Sequence, residues 1–181
     1  MDTKNLKTNT ECKSTELISI LSQNFSGRMN LARIKFLGLF ICALCKVQKV
    51  CYAKLATAFE SGAKTESSLR RIQRFMAQYA LDADLIARLI FKILPHQPPY
   101  HLIMEKLGEQ NLNALTLALA YQGASFPILI LMLDNSNTHE RVRLMNRYIG
   151  LFGRHTIYCL TAEREFVGED WIEYLNRSQI R

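Results

Sequence analysis

The stretch from Tyr100 to Ile180 decides the fold, and it opens with three apolar runs in close succession: YHLIMEK at 100–106, LNALTLALAY at 112–121 and FPILILMLD at 126–134. Gln122-Gly123-Ala124-Ser125 separates the second run from the third. A glycine at such a break supplies the positive φ that a tight hairpin turn needs. The three runs therefore predict three strands, the last two joined as a hairpin.

The remainder of this stretch alternates between helical and strand patterns. From 137 to 152 the apolar residues recur at helical spacing, and Gly153 follows as a C-terminal capping glycine. Residues 156–160 are β-branched and aromatic, which favours a buried strand. GEDWIEYL at 168–175 then predicts a last helix. Strands, a helix, another strand and a helix form an α/β unit, with its chemistry expected at strand ends.

Three acidic residues stand at predicted strand ends, namely Glu105, Asp134 and Glu163. Carboxylates that converge on one rim of a sheet make an oxygen-rich site suited to Mg²⁺ or Mn²⁺. Two such ions could polarise a phosphodiester and activate a water. On pattern alone, solvated strand-end residues are the more common explanation.

Three segments resemble bacterial insertion-sequence transposases of the DDE type, insertion sequence family four. They are GEQNLNALTLALAYQGASFPILILMLD at 108–134, NSNTHERVRLMNRYIGLFG at 135–153 and AEREFVGEDWIEYLN at 162–176. The resemblance covers most of the chain from about Phe25 onward. It implies a ribonuclease H-like core, a divalent metal, and cleavage and joining of DNA strands in transposition.

The chain departs from the pattern of this family at the acids that would be catalytic and bind metal. The resemblance implies Glu105 and Glu163 for these roles, but the family carries Asp at both positions. It also implies that the first and fourth strands are neighbours at the centre of the sheet, with Asp134 farther off on an edge strand. The third carboxylate of the family would lie beyond Arg181. We therefore expect an incomplete, C-terminally truncated core with little or no activity and only weak binding of Mg²⁺ or Mn²⁺.

Charge is distributed unevenly along the 181 residues, which carry a net charge of +7. Before Tyr100 there are 15 Lys and Arg residues against 7 Asp and Glu; from Tyr100 onward there are 8 against 9. This contrast indicates a basic, helical, DNA-binding region at 1–98 and a partial ribonuclease H-like core at 99–181. The predicted fold class is α/β, α+β overall, with an N-terminal helical region before a mixed sheet.

Within the basic region, residues 1–14 are expected to be a loose leader, with Ser14 or Thr15 capping a short helix. Residues 31–59 are predicted to be mainly helical, followed by a helix near 66–79 after a turn at Gly62. A third helix is expected to begin at Asp82 or Asp84 and to end before Pro95.

The helix near 66–79 carries the predicted DNA-binding arginines, Arg70, Arg71 and Arg74. A short arginine-bearing helix after a polar turn is typical of a helix-turn-helix recognition element. Lys46, Lys49 and Lys54 are predicted as accessory phosphate contacts. The alternative is a solvated polar face on an ordinary helical bundle; the charge distribution and the resemblance favour double-stranded DNA, namely transposon ends.

The sequence argues against several other classes of protein. No secretory signal is apparent, and the apolar run at 36–45 falls far short of the ~20 residues of a membrane span. Five cysteines without an export signal indicate reduced thiols in the cytoplasm. No Gly-rich phosphate loop is present, so the sequence does not support nucleotide hydrolysis.

Three functional hypotheses remain open. The first is a transposase-family protein that binds DNA but has little strand-cleavage activity. The second is a non-catalytic inhibitor that occupies transposon ends or pairs with itself or with an intact transposase copy. The third is a poorly folded remnant, because a ribonuclease H-like sheet would continue with a further strand after the last helix.

Overall fold

The computed structural model describes residues 3–95, 97–109, 112–133 and 138–181. The chain divides into two compact units, unit 1 at Met1–Leu81 and unit 2 at Asp82–Arg181. The described residues form helices in unit 1, and helices with a four-stranded mixed sheet in unit 2. The predicted fold class, a helical N-terminal region followed by a mixed α/β sheet, is confirmed.

Unit 1 begins with a long helix, α1 (Thr3–Phe25). The prediction of a loose leader to residue 14 and a separate short helix is therefore wrong. No glycine or proline interrupts residues 3–25, so one helix continues through the whole segment. The turn that follows contains Gly27, whose φ is +78°.

The predicted helical region at 31–59 is divided into α2 (Leu31–Val47) and α3 (Tyr52–Thr57). The Asn30 side chain caps α2 by accepting a hydrogen bond from the Arg33 N–H at 2.9 Å. Gln48, in the left-handed region with φ of +53°, ends α2 and turns the chain. The prediction that residues 31–59 are mainly helical is confirmed, with a break between Val47 and Tyr52.

The helix α4 (Thr65–Gln78) packs with α2 and α3 around a small aromatic core. Phe36 of α2 is central to it, with its ring centroid 5.4 Å from that of Phe59 and 4.5 Å from that of Phe75. Ile72 of α4 is fully buried in the same cluster. Two turns of α4 are thus held by apolar contacts, while its other positions remain available to solvent.

The helix α5 (Ala83–Ile93) begins as expected, because the Asp82 side chain accepts hydrogen bonds from the backbone N–H groups of Asp84 and Leu85. Its apolar face belongs to the core of unit 2, where Ala87 is fully buried. The structural boundary therefore falls between Leu81 and Asp82, before α5, whereas the sequence grouped this helix with the basic region up to residue 98.

The sheet of unit 2 has the strand order β3-β2-β1-β4. Its strands are β1 (Tyr100–Glu109), β2 (Leu112–Tyr121), β3 (Ala124–Met132) and β4 (Ile157–Ala162). The pairs β1–β2 and β2–β3 are antiparallel, and β4 runs parallel to β1. This order confirms that the first and fourth strands are neighbours and that the third lies at an edge. The expectation that the first and fourth strands are both central is wrong for the described sheet, because β4 forms its other edge.

The hairpin between β2 and β3 turns at Gln122 and Gly123, whose φ angles are +49° and +78°. Two successive positive φ angles are typical of the tight turns that match the twist of paired strands. At the other edge of the sheet, the Leu160 N–H donates to the Arg181 carbonyl at 2.7 Å. Arg181 therefore lies along the outer side of β4.

Two more helices, α6 (Thr138–Phe152) and α7 (Glu169–Arg177), complete unit 2. The predicted start of α6 at 137 lies outside the described residues. Gly153 follows α6 with φ of +86°, and its N–H donates to the Ile149 carbonyl at 2.8 Å, so the predicted glycine cap is confirmed. A 3-10 turn (Arg154–Thr156) then leads directly into β4.

The core of unit 2 lies between the sheet and these helices. Alternating residues of the central strands are fully buried in it, including Leu102 and Met104 of β1. Tyr148 of α6 and Trp171 of α7 are buried in the same core cluster. This packing fixes the positions of β1, which contains Glu105, and of β4, which Glu163 follows.

Candidate nucleic-acid interface and acidic strand ends

The exposed face of α4 carries arginines spaced one helical turn apart. Arg70 and Arg74 lie four residues apart and are exposed, as is Gln73 between them. Ser68 and Ile72 are buried on the opposite side of the helix. Residues four apart share a helix face, so the two guanidinium groups form one basic strip.

The segment before α4 holds this helix in place. Ser68 is 1% exposed, and its hydroxyl lies 3.3 Å from the Ser61 hydroxyl in the turn between α3 and α4. The Phe59 ring is buried in the core of unit 1 just before this turn. A short helix, a polar connection at 58–64 and an arginine-bearing helix thus follow one another. This connection is longer than the turn of about three to four residues in a typical helix-turn-helix.

Arg71 occupies a different position from the other two arginines. Its guanidinium carbon lies 5.8 Å from the ring centroid of Phe36 and 5.9 Å from that of Phe59. Such contacts between a cation and aromatic faces hold the side chain against the flank of α4, on the side of α2. Arg71 is therefore tied to the aromatic core, and the sequence grouped it with Arg70 and Arg74 only by proximity.

The three predicted lysines differ in their surroundings. Lys46, at the end of α2, forms an ion pair with Glu60, so a carboxylate already offsets much of its charge. Lys49 lies in the loop between α2 and α3, and Lys54 lies on α3; both are exposed. Lys49 and Lys54 are thus more available than Lys46 to bind a phosphate group.

A cleft of about 330 Å³ lies between α2 and α4. The residues that line it include Arg33, Phe36, Arg71, Phe75, Gln78 and Tyr79. The Arg33 guanidinium lies over the Tyr79 ring, 4.3 Å from its centroid. Sequence reasoning missed Arg33, Gln78 and Tyr79 as candidate functional residues. Arg33 and Tyr79 are far apart in sequence, and only the packing of α2 on α4 brings them together.

The two predicted catalytic glutamates of unit 2 occupy different positions on neighbouring strands. Glu163 directly follows β4, which ends at Ala162, so its prediction at a strand end is confirmed. The same prediction for Glu105 is wrong, because β1 continues to Glu109 and pairs Glu105 with Thr116 of β2. Both glutamates come just after Met104 and Ala162, the last residues that pair β1 with β4. The Glu163 carboxylate accepts a hydrogen bond from the Lys106 N–H at 3.1 Å. The structure thus brings the two glutamates to one position in the sheet, and it also gives Glu163 a structural partner.

A second polar pair lies on the same two strands. His101 Nε2 and the Thr161 hydroxyl are 2.6 Å apart. His101 precedes Glu105 by four residues, and Thr161 precedes Glu163 by two. Because side chains alternate along a strand, His101 and Glu105 share one face of β1. The sequence pattern placed His101 in the first predicted strand but did not predict this contact.

In the part of the chain that the structure describes, no three His, Cys, Asp or Glu side chains come together as a metal site. Asp134, the third predicted acid, lies outside the described residues. Mg²⁺ held by Glu105 and Glu163 alone would depend mainly on waters and substrate phosphates for its ligands.

No helix within the described ranges is both long enough and apolar enough to cross a membrane. Comparison with known proteins identified no relative: no family model matches the chain, and neither a curated protein nor a solved structure matches it.

Proposed function

We propose that this protein binds double-stranded DNA, with transposon ends as its target, through the exposed face of α4 in unit 1. The observation that carries the proposal is the strip formed by Arg70 and Arg74 on a helix whose opposite face is buried. Arginine forms bidentate contacts with both phosphate and guanine, so one helix face can supply affinity and sequence reading.

The exposed cations near α4 support the same proposal. Lys49 and Lys54 lie on the segment that precedes α4 and would contact the backbone on either side of the groove. Lys46 contributes less because Glu60 already neutralises it. All of the excess positive charge of the chain lies before Tyr100, where these residues are found.

The proposal is tested by titrating labelled duplex DNA, including terminal inverted repeats of insertion sequences, with the protein at several salt concentrations. Each phosphate contact contributes about 0.9 to the slope of log K against log salt. We expect Arg70→Ala and Arg74→Ala each to weaken binding about tenfold and to reduce the slope by about 0.9.

Arg143→Ala is the matched control, because it also removes one exposed arginine, from α6 of unit 2. If Arg143→Ala lowers affinity as much as Arg70→Ala does, only net charge matters and the proposed interface is wrong. A folded sample with no affinity for any duplex would refute the DNA-binding proposal as a whole.

The second candidate function is strand cleavage by a transposase-type active site at Glu105 and Glu163. The adjacency of the two residues at the end of the β1–β4 pair favours it. We propose that activity is low, because glutamate extends the carboxylate by roughly 1.5 Å relative to aspartate. A misplacement of about 1 Å can cost on the order of a hundredfold in rate.

An end-nicking assay with Mg²⁺ and with Mn²⁺ tests this second candidate. Robust cleavage that is lost in Glu163→Ala would overturn the proposal of low activity. Binding without cleavage supports the role of a DNA-binding inhibitor, which would occupy transposon ends or pair with an intact transposase copy in the bacterial cytoplasm. Competition with an active transposase for the same DNA would measure that inhibition directly.

A further inference from the structure

The cleft between α2 and α4 combines positive charge with aromatic walls. Arg33, Arg71 and Arg74 all line it, together with the rings of Phe75 and Tyr79. Its volume, about 330 Å³, is at the lower end of the roughly 300–1,000 Å³ found for small-ligand sites. The occupant should therefore be small, anionic and able to stack on a flat surface.

The charge of the cleft is not neutralised by the described part of unit 1. None of Arg33, Arg71 and Arg74 forms an ion pair with a carboxylate of the described residues. Three guanidinium groups around one small space repel one another and attract an anion with several acceptor oxygens. Phosphate meets this requirement, since guanidinium donors match its oxygens in pairs.

The stacking surfaces are already assembled. The Arg33 guanidinium lies 4.3 Å from the centroid of the Tyr79 ring, and the Tyr79 and Phe75 rings are 5.1 Å apart. Unpaired bases stack both on aromatic rings and on guanidinium planes. Gln78, at the same wall, adds an amide that can donate to and accept from a base edge.

We infer that this cleft binds one unpaired nucleotide of a DNA strand, with its base against the Arg33–Tyr79 stack and its phosphate on the arginines. The inference deepens the proposed DNA-binding function and rests on it, because it assigns a second contact to the same unit. A duplex has its bases inside the stack, so the cleft selects an end, an overhang or an opened site.

The test uses the full-length protein and a single-stranded thymidine oligonucleotide that contains one 2-aminopurine, whose fluorescence is quenched on stacking. We expect quenching and saturable binding with wild-type protein. Arg33→Ala and Tyr79→Leu should each weaken binding roughly five- to a hundredfold and abolish the quench. Lys35→Ala is the matched control, since it removes a charge from an exposed position of α2 that does not line the cleft.

Arg33→Lys separates charge from stacking. Lysine keeps the positive charge but lacks the planar guanidinium, so affinity should fall less than in Arg33→Ala while the quench is lost. Circular dichroism of every variant checks that the helices are retained. A quench that is equal in Arg33→Ala and Lys35→Ala overturns the inference.

Two further arms identify the source of the nucleotide and separate this inference from the proposed function. In the first arm, the free deoxynucleoside monophosphate of 2-aminopurine replaces the oligonucleotide. If it binds as tightly as the oligonucleotide does, the cleft is a site for free nucleotides and the assignment to a DNA strand is overturned. Duplex binding is measured in the same samples. Duplex binding without an oligonucleotide quench refutes the cleft inference alone, whereas a quench without duplex binding refutes the proposed interface on α4.

Discussion

The phenol of Tyr148 couples the stability of unit 2 to pH. This side chain is fully buried on α6, and its hydroxyl lies 3.2 Å from the Thr156 hydroxyl. Removal from water raises the pKa of Tyr148 to about 12, although the hydrogen bond with Thr156 acts in the opposite direction. The folded protein therefore holds this proton more tightly than the unfolded chain does.

The sign of the effect follows from this difference. Tyrosine in an unfolded chain titrates near pH 10. The stability contributed by neutral Tyr148 is thus fully present below about pH 10 and is lost as the pH rises towards about 12. One proton contributes at most about 1.4 kcal/mol per pH unit, so the loss is about 1.4 kcal/mol at pH 11 and about 2–3 kcal/mol at pH 12.

Tyr148→Phe isolates this contribution. The variant keeps the ring but loses one hydrogen bond, which costs about 1 kcal/mol at neutral pH. The Thr156 hydroxyl retains its bond to the Gly153 carbonyl at 2.8 Å, so no buried donor is left unsatisfied. At high pH the variant lacks the ionisation penalty, and we expect it to equal or exceed the wild type in stability near pH 11.

The assay is urea unfolding, followed by far-ultraviolet circular dichroism, at neutral pH and near pH 11. Ionisation of other groups affects both proteins and cancels in the difference between them. Tyr158→Phe serves as the control because Tyr158 is 64% exposed. If the stability difference between wild type and Tyr148→Phe is the same at both pH values, the burial argument is wrong.

Three other perturbations have definite expected outcomes. Gly153→Ala should lower the free energy of unfolding by about 1–2 kcal/mol, because the φ of +86° at this position strains any residue with a Cβ. Gly150→Ala lies inside α6 with open space around it, so this variant should raise the free energy of unfolding by about 0.5–1 kcal/mol. Urea unfolding midpoints of the two variants and the wild type measure both effects. Lys49→Ala should reduce the salt slope of duplex binding by about 0.9, whereas Lys46→Ala, whose partner already offsets its charge, should change the slope less. Trp171→Ala should destabilise unit 2 by about 3–5 kcal/mol in urea unfolding, while Trp171→Phe should cost much less.

Local sequence patterns predicted unit 2 better than unit 1. The strands β2 and β3 were visible because each is a continuous apolar run and because glycine marks the turn between them. The adjacency of β1 and β4 was predicted only from the family resemblance, because the pattern of apolar residues along a strand does not indicate which other strand it pairs with. In unit 1, the break between α2 and α3 falls at Gln48, which carries no glycine or proline signal.

Tertiary packing accounts for what the sequence could not supply. The pattern of α5 shows that one face is apolar, but it does not say that this face packs in the core of unit 2. Likewise, the stack of Arg33 on Tyr79 arises from the contact between two helices that are distant in the chain. A candidate site formed by such long-range packing leaves no local motif.

The segment AEREFVGEDWIEYLN at 162–176, one of the three that carry the family resemblance, has a structural explanation of its own. Phe166 is 4% exposed and Trp171 is 1% exposed, and both belong to the core of unit 2. The Arg141 guanidinium on α6 lies 5.1 Å and 5.7 Å from their ring centroids, and burial lowers the pKa of Arg141 from its ordinary value. These aromatic residues therefore hold α7 and the preceding turn against α6, whether or not the protein performs chemistry.

The catalytic hypothesis therefore depends on Glu105 and Glu163 alone. The Glu163 carboxylate already accepts a hydrogen bond from the Lys106 backbone N–H, which is a structural role. The DNA-binding proposal depends instead on cations of unit 1 that have no such structural task, Arg70 and Arg74 above all. The two functions therefore stand on separate residues in separate units, and each can fail without the other. A protein that binds DNA through α4 and cuts none is the outcome that these residues favour.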